Sequence, residues 1–381
     1  MSSINHETYH TRLSQLTRLI QHLHLPSPST ITPIAYQELG PCPYNNFLYK
    51  LTFSEPVTVS LSHPITSPPP PTNEYIIRLS NPLAMGINPL ANRIENEIAA
   101  MQLARMGLDT VRQGLGGLVP RVYAFCARPE TEGDLPWVVM EVKGGVGLDE
   151  VFGGLEGKGK EDVIGQVVDV VRGLQGVGGA LLGEGVEGYG GLGLGLRLRL
   201  DEDQGKDGDG DWGVIGAGEM TVTRGGPWGS YEGLLKGRLR HEMGDAEKSA
   251  VIQGWKGNGV RERLEGLIEK FTLSGWEGLG LGLEERVLVH GDLTMNNILI
   301  DPSTNKLTAL LDFDFACIAH PAHEFLVSLQ DLGGNVMGPY GEDPTEGKLS
   351  QALLSGDFSE DVSGDLWWIE RPSMSICRNV E

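Results

Sequence analysis

The sequence is poor in cysteine and lacks long apolar runs. Four cysteines lie far apart in a chain of 381 residues and form no Cys-x-x-Cys pair, which argues against a disulfide framework or a zinc knuckle. No run of about 18 apolar residues marks a membrane span. The polar segment 1–21 lacks the apolar core of a signal peptide. These absences predict a soluble, cytoplasmic protein.

Basic residues are also scarce. Thirty lysines and arginines stand against 51 aspartates and glutamates, which gives a formal net charge of −21. Such a charge repels the phosphate backbone of nucleic acids and the surface of anionic lipids. We therefore expect neither nucleic acid nor a membrane as a partner, and the sequence does not indicate an oligomeric state.

Glycine, in contrast, is abundant. The 54 glycines crowd between residues 144 and 282 without a collagen-like period. The apolar share of 40% and the charged share of 21% are near the averages of globular proteins, and the length allows two or three compact units. The pattern predicts folded domains with a flexible, Gly/Asp-rich insertion at about 176–213.

Hydrophobic spacing gives the order of elements in the first part of the chain. Leucines at helical spacing predict a helix within an N-terminal segment, 1–30. Alternating apolar residues and turn signals then predict the order β-β-β-α-β-β. The strands are expected at 33–40, 46–53, 74–79, 119–125 and 137–142, and the helix at 89–106. This order describes a small antiparallel sheet that carries one helix.

The rest of the chain reads as mainly helical. Apolar residues recur at helical spacing from residue 149 to 174, and two more helices are expected at 231–243 and 260–271. The predicted fold class is therefore α+β, with the sheet before the helices.

A group of oxygen-bearing side chains follows a short apolar strand at 286–289. His290-Gly291-Asp292 begins the group, and Asn297 stands five residues after Asp292. A strand at 298–300, a turn at 301–305 and a return strand at 307–311 lead to Asp312-Phe313-Asp314. One hairpin should therefore bring Asp292, Asn297 and Asp312 to the same end. Asn297 and Asp312 suit Mg²⁺, which prefers oxygen ligands, and Asp292 can accept a proton from an attacking hydroxyl.

This pattern resembles the catalytic loop and metal-binding segment of the aminoglycoside phosphotransferase and choline kinase family, relatives of protein kinases. The family motif H-G-D-x-x-x-x-N, a hairpin and D-[FW]-[DE] are complete here. The resemblance implies Asp292 as the catalytic base, Asn297 and Asp312 as Mg²⁺ ligands, and His290 as a support for the loop. Gly291 and Asp314 differ from the Arg and Gly of protein kinases and favour the small-molecule branch.

The same resemblance implies a two-lobed, protein-kinase-like fold. The small antiparallel-sheet N-lobe would span residues 31–142, and the mainly helical C-lobe would span residues 143–381. The segment Gly226-Pro227-Trp228 is similar to one found in uncharacterised members of this family from filamentous fungi.

The predicted N-lobe resembles the family's nucleotide site with two departures, one in the phosphate-covering turn, which has one glycine and two prolines instead of G-x-G-x-x-G, and one in the third strand. Gly40 lies where a phosphate-covering loop is expected, and the third strand presents Arg78 where the family has a lysine. Arg78 keeps the positive charge but is not equivalent to lysine, and a surface strand residue is the alternative interpretation. Glu97 matches the family glutamate that pairs with this cation, and Glu95 is its rival.

Residues 137–145 resemble the strand and hinge between the lobes. Main-chain groups of Glu141 and Lys143 would hold the adenine, and Met140 would line its pocket. Further on, Glu324 would occupy the position of a family acidic residue, although we favour a helix N-terminal cap for it.

These residues imply an ATP- or GTP-dependent transfer of the γ-phosphoryl group to a hydroxyl of a small molecule, with Mg²⁺. The acidic composition suits a cationic acceptor, such as an amino sugar or an amino alcohol. The alternative is a nucleotide-binding pseudokinase or scaffold with little or no transfer. Arg78 and the short segment after Asp314 favour the alternative, whereas the intact Asp292 favours an enzyme.

Overall fold

The computed structural model describes residues 5–34, 43–59, 70–84, 92–178, 181–182, 186–196, 212–250, 259–275 and 282–329. The chain forms two compact units, each assembled from three separate segments. The first unit comprises residues 1–99, 120–142 and 183–280, and the second comprises residues 100–119, 143–182 and 281–381. Each unit combines segments from different parts of the chain. The continuous N-lobe at 31–142 and C-lobe at 143–381 therefore stay a prediction.

The helices are α1 (Tyr9–His22), α2 (Arg93–Val111), α3 (Leu148–Val151), α4 (Gly157–Gln175), α5 (Tyr231–Lys248), α6 (Val260–Lys270) and α7 (Ala322–Val327). None of these helices of the described chain is both long and apolar enough to cross a membrane. The strands are β1 (Thr30–Ile34), β2 (Asn46–Val57), β3 (Thr72–Ser80), β4 (Val122–Cys126), β5 (Trp137–Met140), β6 (Val146–Gly147), β7 (Gly191–Leu196), β8 (Trp212–Gly218), β9 (Val287–Val289), β10 (Ile298–Asp301), β11 (Lys306–Leu310) and β12 (Cys317–Ala319).

The first unit is built on an antiparallel sheet with the strand order β1-β2-β3-β5-β4. The predicted order of three strands, one helix and two strands is therefore confirmed for this region. β1 begins at Thr30, earlier than predicted, and its Pro33 is tolerated because β1 is an edge strand. Residues 35–42, where the predicted strand continues, lie outside the described residues.

Helix α1 covers one face of this sheet. Its leucines Leu16 and Leu19, together with Leu23 directly after the helix, pack in one apolar core with Tyr49, Leu51, Tyr75, Ile77, Leu79, Tyr123 and Val139. Burial of this apolar surface is the main stabilising force for the sheet.

Part of the predicted flexible insertion forms regular structure. β7 and β8 pair as an antiparallel hairpin, with Gly191 opposite Gly218 and Leu192 opposite Ala217. The leucines that alternate with glycines have the period of a strand, and Leu192 is fully buried. The expectation of a loose segment is thus wrong for residues 191–196, whereas residues 197–211 lie outside the described residues.

The second unit carries short strands against helix α4. β10 pairs with β11 and with β6, and β9 pairs with β12. The side chain of Gln166 in α4 donates to the carbonyl of Asn305 at 2.8 Å and accepts from the amide of Leu307 at 3.1 Å. These bonds fix the turn of the β10–β11 hairpin, and thereby the direction of its other end.

Candidate active site

The loop after β9 is shaped by a glycine. Gly291 has a φ of +81°, a conformation that other residues rarely adopt. A Cβ atom at this position would lie 2.4 Å from the carbonyl oxygen of Phe315. No side chain fits there without displacing the backbone, so the conformation of the loop requires glycine at this position.

His290 is buried beneath the loop and supports it. Its Nε2 lies 2.9 Å from the carbonyl oxygen of Leu311, its Nδ1 accepts from the amide of Asp292 at 3.3 Å, and its ring packs on Phe313. Burial lowers the pKa of His290 from 6.5 to about 4. At neutral pH the ring is therefore uncharged, and its two nitrogens hold neighbouring backbone groups.

Asp292 and Asn297 form the centre of the site. The side-chain nitrogen of Asn297 donates to the carbonyl oxygen of Asp292 at 2.8 Å and to its carboxylate at 2.9 Å. This bidentate contact closes the loop and fixes the direction of the carboxylate. Because the amide nitrogen points at Asp292, the amide oxygen of Asn297 is the atom that can face a cation.

The β10–β11 hairpin brings Asn297 and Asp312 to one end, as the sequence predicts. β10 begins directly after Asn297, and the amide of Leu311 donates to the carbonyl of Asn297 at 2.8 Å. Asp312 follows at once with a φ of +61°, a conformation in which aspartate is one of the more tolerant residues. One carboxylate and one amide oxygen are a donor set that fits Mg²⁺.

Glu324 lies beside the loop after β9, and its interpretation as a helix N-terminal cap is wrong. Its carboxylate caps no helix but accepts from the amides of His290 and Gly291 at 2.6 and 3.1 Å. The side chain is only 2% exposed, and burial raises the pKa of this carboxyl. Helix α7 thus holds the catalytic loop from a position 34 residues further along the chain.

The segment after α7 adds two more bonds to the same loop. The hydroxyl of Ser328 accepts from the amide of Leu293 at 3.1 Å, and the amide of Leu329 donates to the carbonyl of Leu293 at 2.9 Å. The backbone of the loop is thereby fixed on both sides of Asp292.

In the first unit, Arg78 and Glu97 form a buried ion pair. The Nη1 of Arg78 donates to Oε1 of Glu97 at 2.6 Å, and its Nη2 donates to the other carboxylate oxygen. The two side chains are 4% and 3% exposed. Arg78 is therefore not a surface residue, and Glu97, not Glu95, is the residue that binds it.

The other predicted nucleotide-site residues lie at the end of β5 or outside the described residues. Met140 is the buried last residue of β5. Glu141 exchanges two bonds with Arg121, one from its amide at 2.9 Å and one to its carboxylate at 3.0 Å. Lys143 donates from Nζ to the carbonyl of Gly117 at 2.5 Å. Gly40 lies outside the described residues.

Comparison with known protein families gives a match that covers most of the chain. A sequence model of the phosphotransferase enzyme family matches residues 70–348, well over half of the chain. No curated protein sequence matches the chain. The predicted family resemblance and the α+β fold class are confirmed, while the placement among fungal members stays a prediction.

Solved structures of aminoglycoside phosphotransferases are similar to the chain over nearly its whole length. One is a thermostable mutant of APH(4)-Ia in a ternary complex with ADP and hygromycin B, with 14% identity and a TM-score of 0.46 over 95% of this chain and 97% of that one. Another is a complex with GDP and kanamycin, with 13% identity and a TM-score of 0.43 over 97% and 98%.

Proposed function

The chain belongs to the phosphotransferase enzyme family, and we propose that it transfers the γ-phosphoryl group of ATP or GTP to a hydroxyl group of a small molecule, with Mg²⁺. The observation that carries this proposal is the contact between Asn297 and Asp292, 2.9 Å from amide nitrogen to carboxylate. Through this contact, the side chain of Asn297 orients the carboxylate of Asp292, which is the proposed proton acceptor. The same contact orients the amide oxygen of Asn297, which is the proposed metal ligand.

Asp292 is the residue that we assign as the general base. It would accept the proton of the acceptor hydroxyl as the phosphoryl group is transferred, which requires a carboxylate of fixed direction. His290, the neighbouring candidate, is unsuited to this role. Its two ring nitrogens hold the backbone of Leu311 and Asp292, and the ring is fully buried, so it has no exposed face from which to reach an acceptor hydroxyl.

Asn297 and Asp312 are the residues that would hold Mg²⁺, through the amide oxygen and the carboxylate. When bound, the ion neutralises phosphate charge and orients the phosphoryl group for transfer. The β10–β11 hairpin, fixed on α4 by Gln166, keeps the two ligands at one end. The chain itself contributes position and charge, which are the main requirements of phosphoryl transfer.

Arg78 is proposed to bind the nucleotide phosphates, oriented by Glu97. Main-chain groups of Glu141 and Lys143 are proposed to bind the base, with Met140 beside it. Because both terminal nitrogens of Arg78 bind Glu97, the guanidinium has a fixed plane, whereas a lysine ammonium reorients freely. This same feature favours the second candidate, a nucleotide-binding protein with little transfer.

The net charge of −21 favours a cationic acceptor over an anionic one. An extract of small metabolites, incubated with the protein, Mg²⁺ and γ-labelled ATP or GTP, tests the proposal. We expect a labelled phosphate monoester, read by mass spectrometry, that an Asn297→Ala variant forms far more slowly.

The matched control is Asn296→Ala, since Asn296 is the exposed neighbour on the same turn. It should give the same product as the parent protein. Nucleotide binding without any product across such extracts would support the second candidate. A folded protein that binds no nucleotide would contradict both.

A further inference from the structure

The glycine-rich hairpin contacts the helix that carries Glu97. The backbone amide of Leu192 in β7 donates to the side-chain oxygen of Asn96 at 2.6 Å. The side-chain nitrogen of Asn92, the residue before α2, donates to the carbonyl oxygen of the same leucine. Both backbone groups of Leu192 are thus bound by side chains at the start of α2. At this residue the hydrogen-bonding groups on the edge of the hairpin are paired with side chains instead of with a third strand.

The glycines of the hairpin make this contact possible. An added Cβ at Gly218 would lie 2.6 Å from the Asn92 side-chain nitrogen, and one at Gly193 would lie 3.2 Å from it. A Cβ at Gly191 would lie 2.2 Å from the carbonyl oxygen of Glu219 and 3.1 Å from the Asn96 side-chain oxygen. Side chains at these positions would hold the two asparagines away from the strand, because the backbone has to approach closely.

Asn96 stands next to Glu97 in the helix, and both side chains are buried. The bidentate contact of Glu97 with Arg78 requires a defined rotation and height of the first turns of α2. Arg93 adds a further anchor, since it donates to the carbonyl of Asn45 and to the side chain of Asn46, both at 2.9 Å. The hairpin is therefore one of the attachments that set the position of Glu97.

We propose that the β7–β8 hairpin positions the Arg78–Glu97 pair for nucleotide phosphates, with Asn92 and Asn96 as the positioning residues. The proposal rests on the function proposed above, because it assigns the pair to the nucleotide. In kinases, the placement of the corresponding ion pair controls activity. Here that placement depends on a hairpin from the glycine-rich segment, far from α2 in sequence.

The first experiment is a double-mutant cycle on the affinity for Mg-ATP, measured by calorimetry. Asn96→Ala removes the acceptor of one buried hydrogen bond, and we expect it to weaken binding about three- to tenfold. In a Glu97→Gln background the same substitution should have no further effect, because the pair through which it acts is already broken. The proposal would be overturned if Asn96→Ala weakened Mg-ATP binding equally in both backgrounds. It would also be overturned if the parent protein bound Mg-ATP and Asn96→Ala left that affinity unchanged.

Two glycine variants supply an independent perturbation and its control. Gly218→Ala should weaken binding as Asn96→Ala does, since the new methyl group meets both the side chain of Asn92 and the carbonyl group of Leu192 that Asn92 binds. Gly229→Ala, at a position where an added Cβ meets no described atom within 4 Å, should leave it within about twofold. Equal effects of the two glycine variants would argue against the contact with α2.

Hydrogen exchange separates this proposal from the proposed function. We expect faster exchange of the backbone amides of residues 97–100 in Asn96→Ala and Gly218→Ala than in Gly229→Ala, without any nucleotide. If the parent protein binds no nucleotide, the proposed function fails while this measurement still tests the attachment. Unchanged exchange in both variants would contradict the positioning role.

Discussion

Acid should destabilise this protein through His290, by an amount that follows from its burial. The ring has a pKa of about 4 in the folded protein and of 6.5 when unfolded. Between these values the unfolded state binds more protons than the folded state, so the free energy of unfolding falls as the pH falls. At about 1.4 kcal/mol per pKa unit, the full loss is on the order of 3 kcal/mol.

Other groups titrate in the same range, so a variant is needed to isolate the effect. Burial also lowers the pKa of His320, which acts in the same direction, whereas the raised pKa of Glu324 makes stability fall as the pH rises. A His290→Gln variant keeps a donor for the Leu311 carbonyl but has no proton to gain. The difference in unfolding free energy between parent and variant therefore reports His290 alone.

The assay is urea unfolding of both proteins between about pH 7.5 and pH 4.5. We expect the advantage of the parent protein to shrink by about 2–3 kcal/mol across this range. If His290→Gln does not fold, the ring ¹⁵N shifts of the parent protein provide the same answer. A His290 that gains its proton near pH 6.5 in the folded protein would refute the reasoning.

Three further substitutions test the packing around the candidate site. Glu97→Ala leaves a buried guanidinium without its carboxylate, and we expect a loss of about 3–5 kcal/mol in urea unfolding, against at most about 1 kcal/mol for Glu95→Ala. Gly291→Ala forces a methyl group onto a backbone carbonyl at positive φ, and its unfolding free energy should fall by about 2 kcal/mol or more. Asn297→Ala should weaken the binding of Mg-ATP at least about tenfold by calorimetry, whereas Asn296→Ala should leave it unchanged.

The sequence predicts the local geometry of the loop after β9 well because its determinants are local. Asp292, Asn297 and Asp312 are separated only by a tight hairpin, so strand period and turn residues suffice to bring them together. The choice of Glu97 over Glu95 comes from the family resemblance, and helix geometry allows only one of them to face Arg78, since two residues turn a side chain to another face.

Contacts with backbone groups of distant segments are what the sequence does not reveal. Glu324 binds two loop amides that any sequence at those positions would offer, so no residue pattern marks the pairing. The sequence pattern does not indicate strand β7, for a related reason. Its glycines lower the strand propensity, and Gly191 and Gly193 are accounted for by the close approach of Asn92, Asn96 and the backbone of Glu219.

The central claim is that Asp292 accepts the proton of an acceptor hydroxyl, and an Asp292→Asn variant tests it most directly. The new amide oxygen can still accept from Asn297, so fold and Mg-ATP affinity should stay within about twofold of the parent protein. Acceptor-dependent nucleotide consumption, measured at steady state with the acceptor found in the extract experiment, should fall about 10²- to 10⁴-fold. Turnover that persists in Asp292→Asn at the rate of the parent protein would contradict the account.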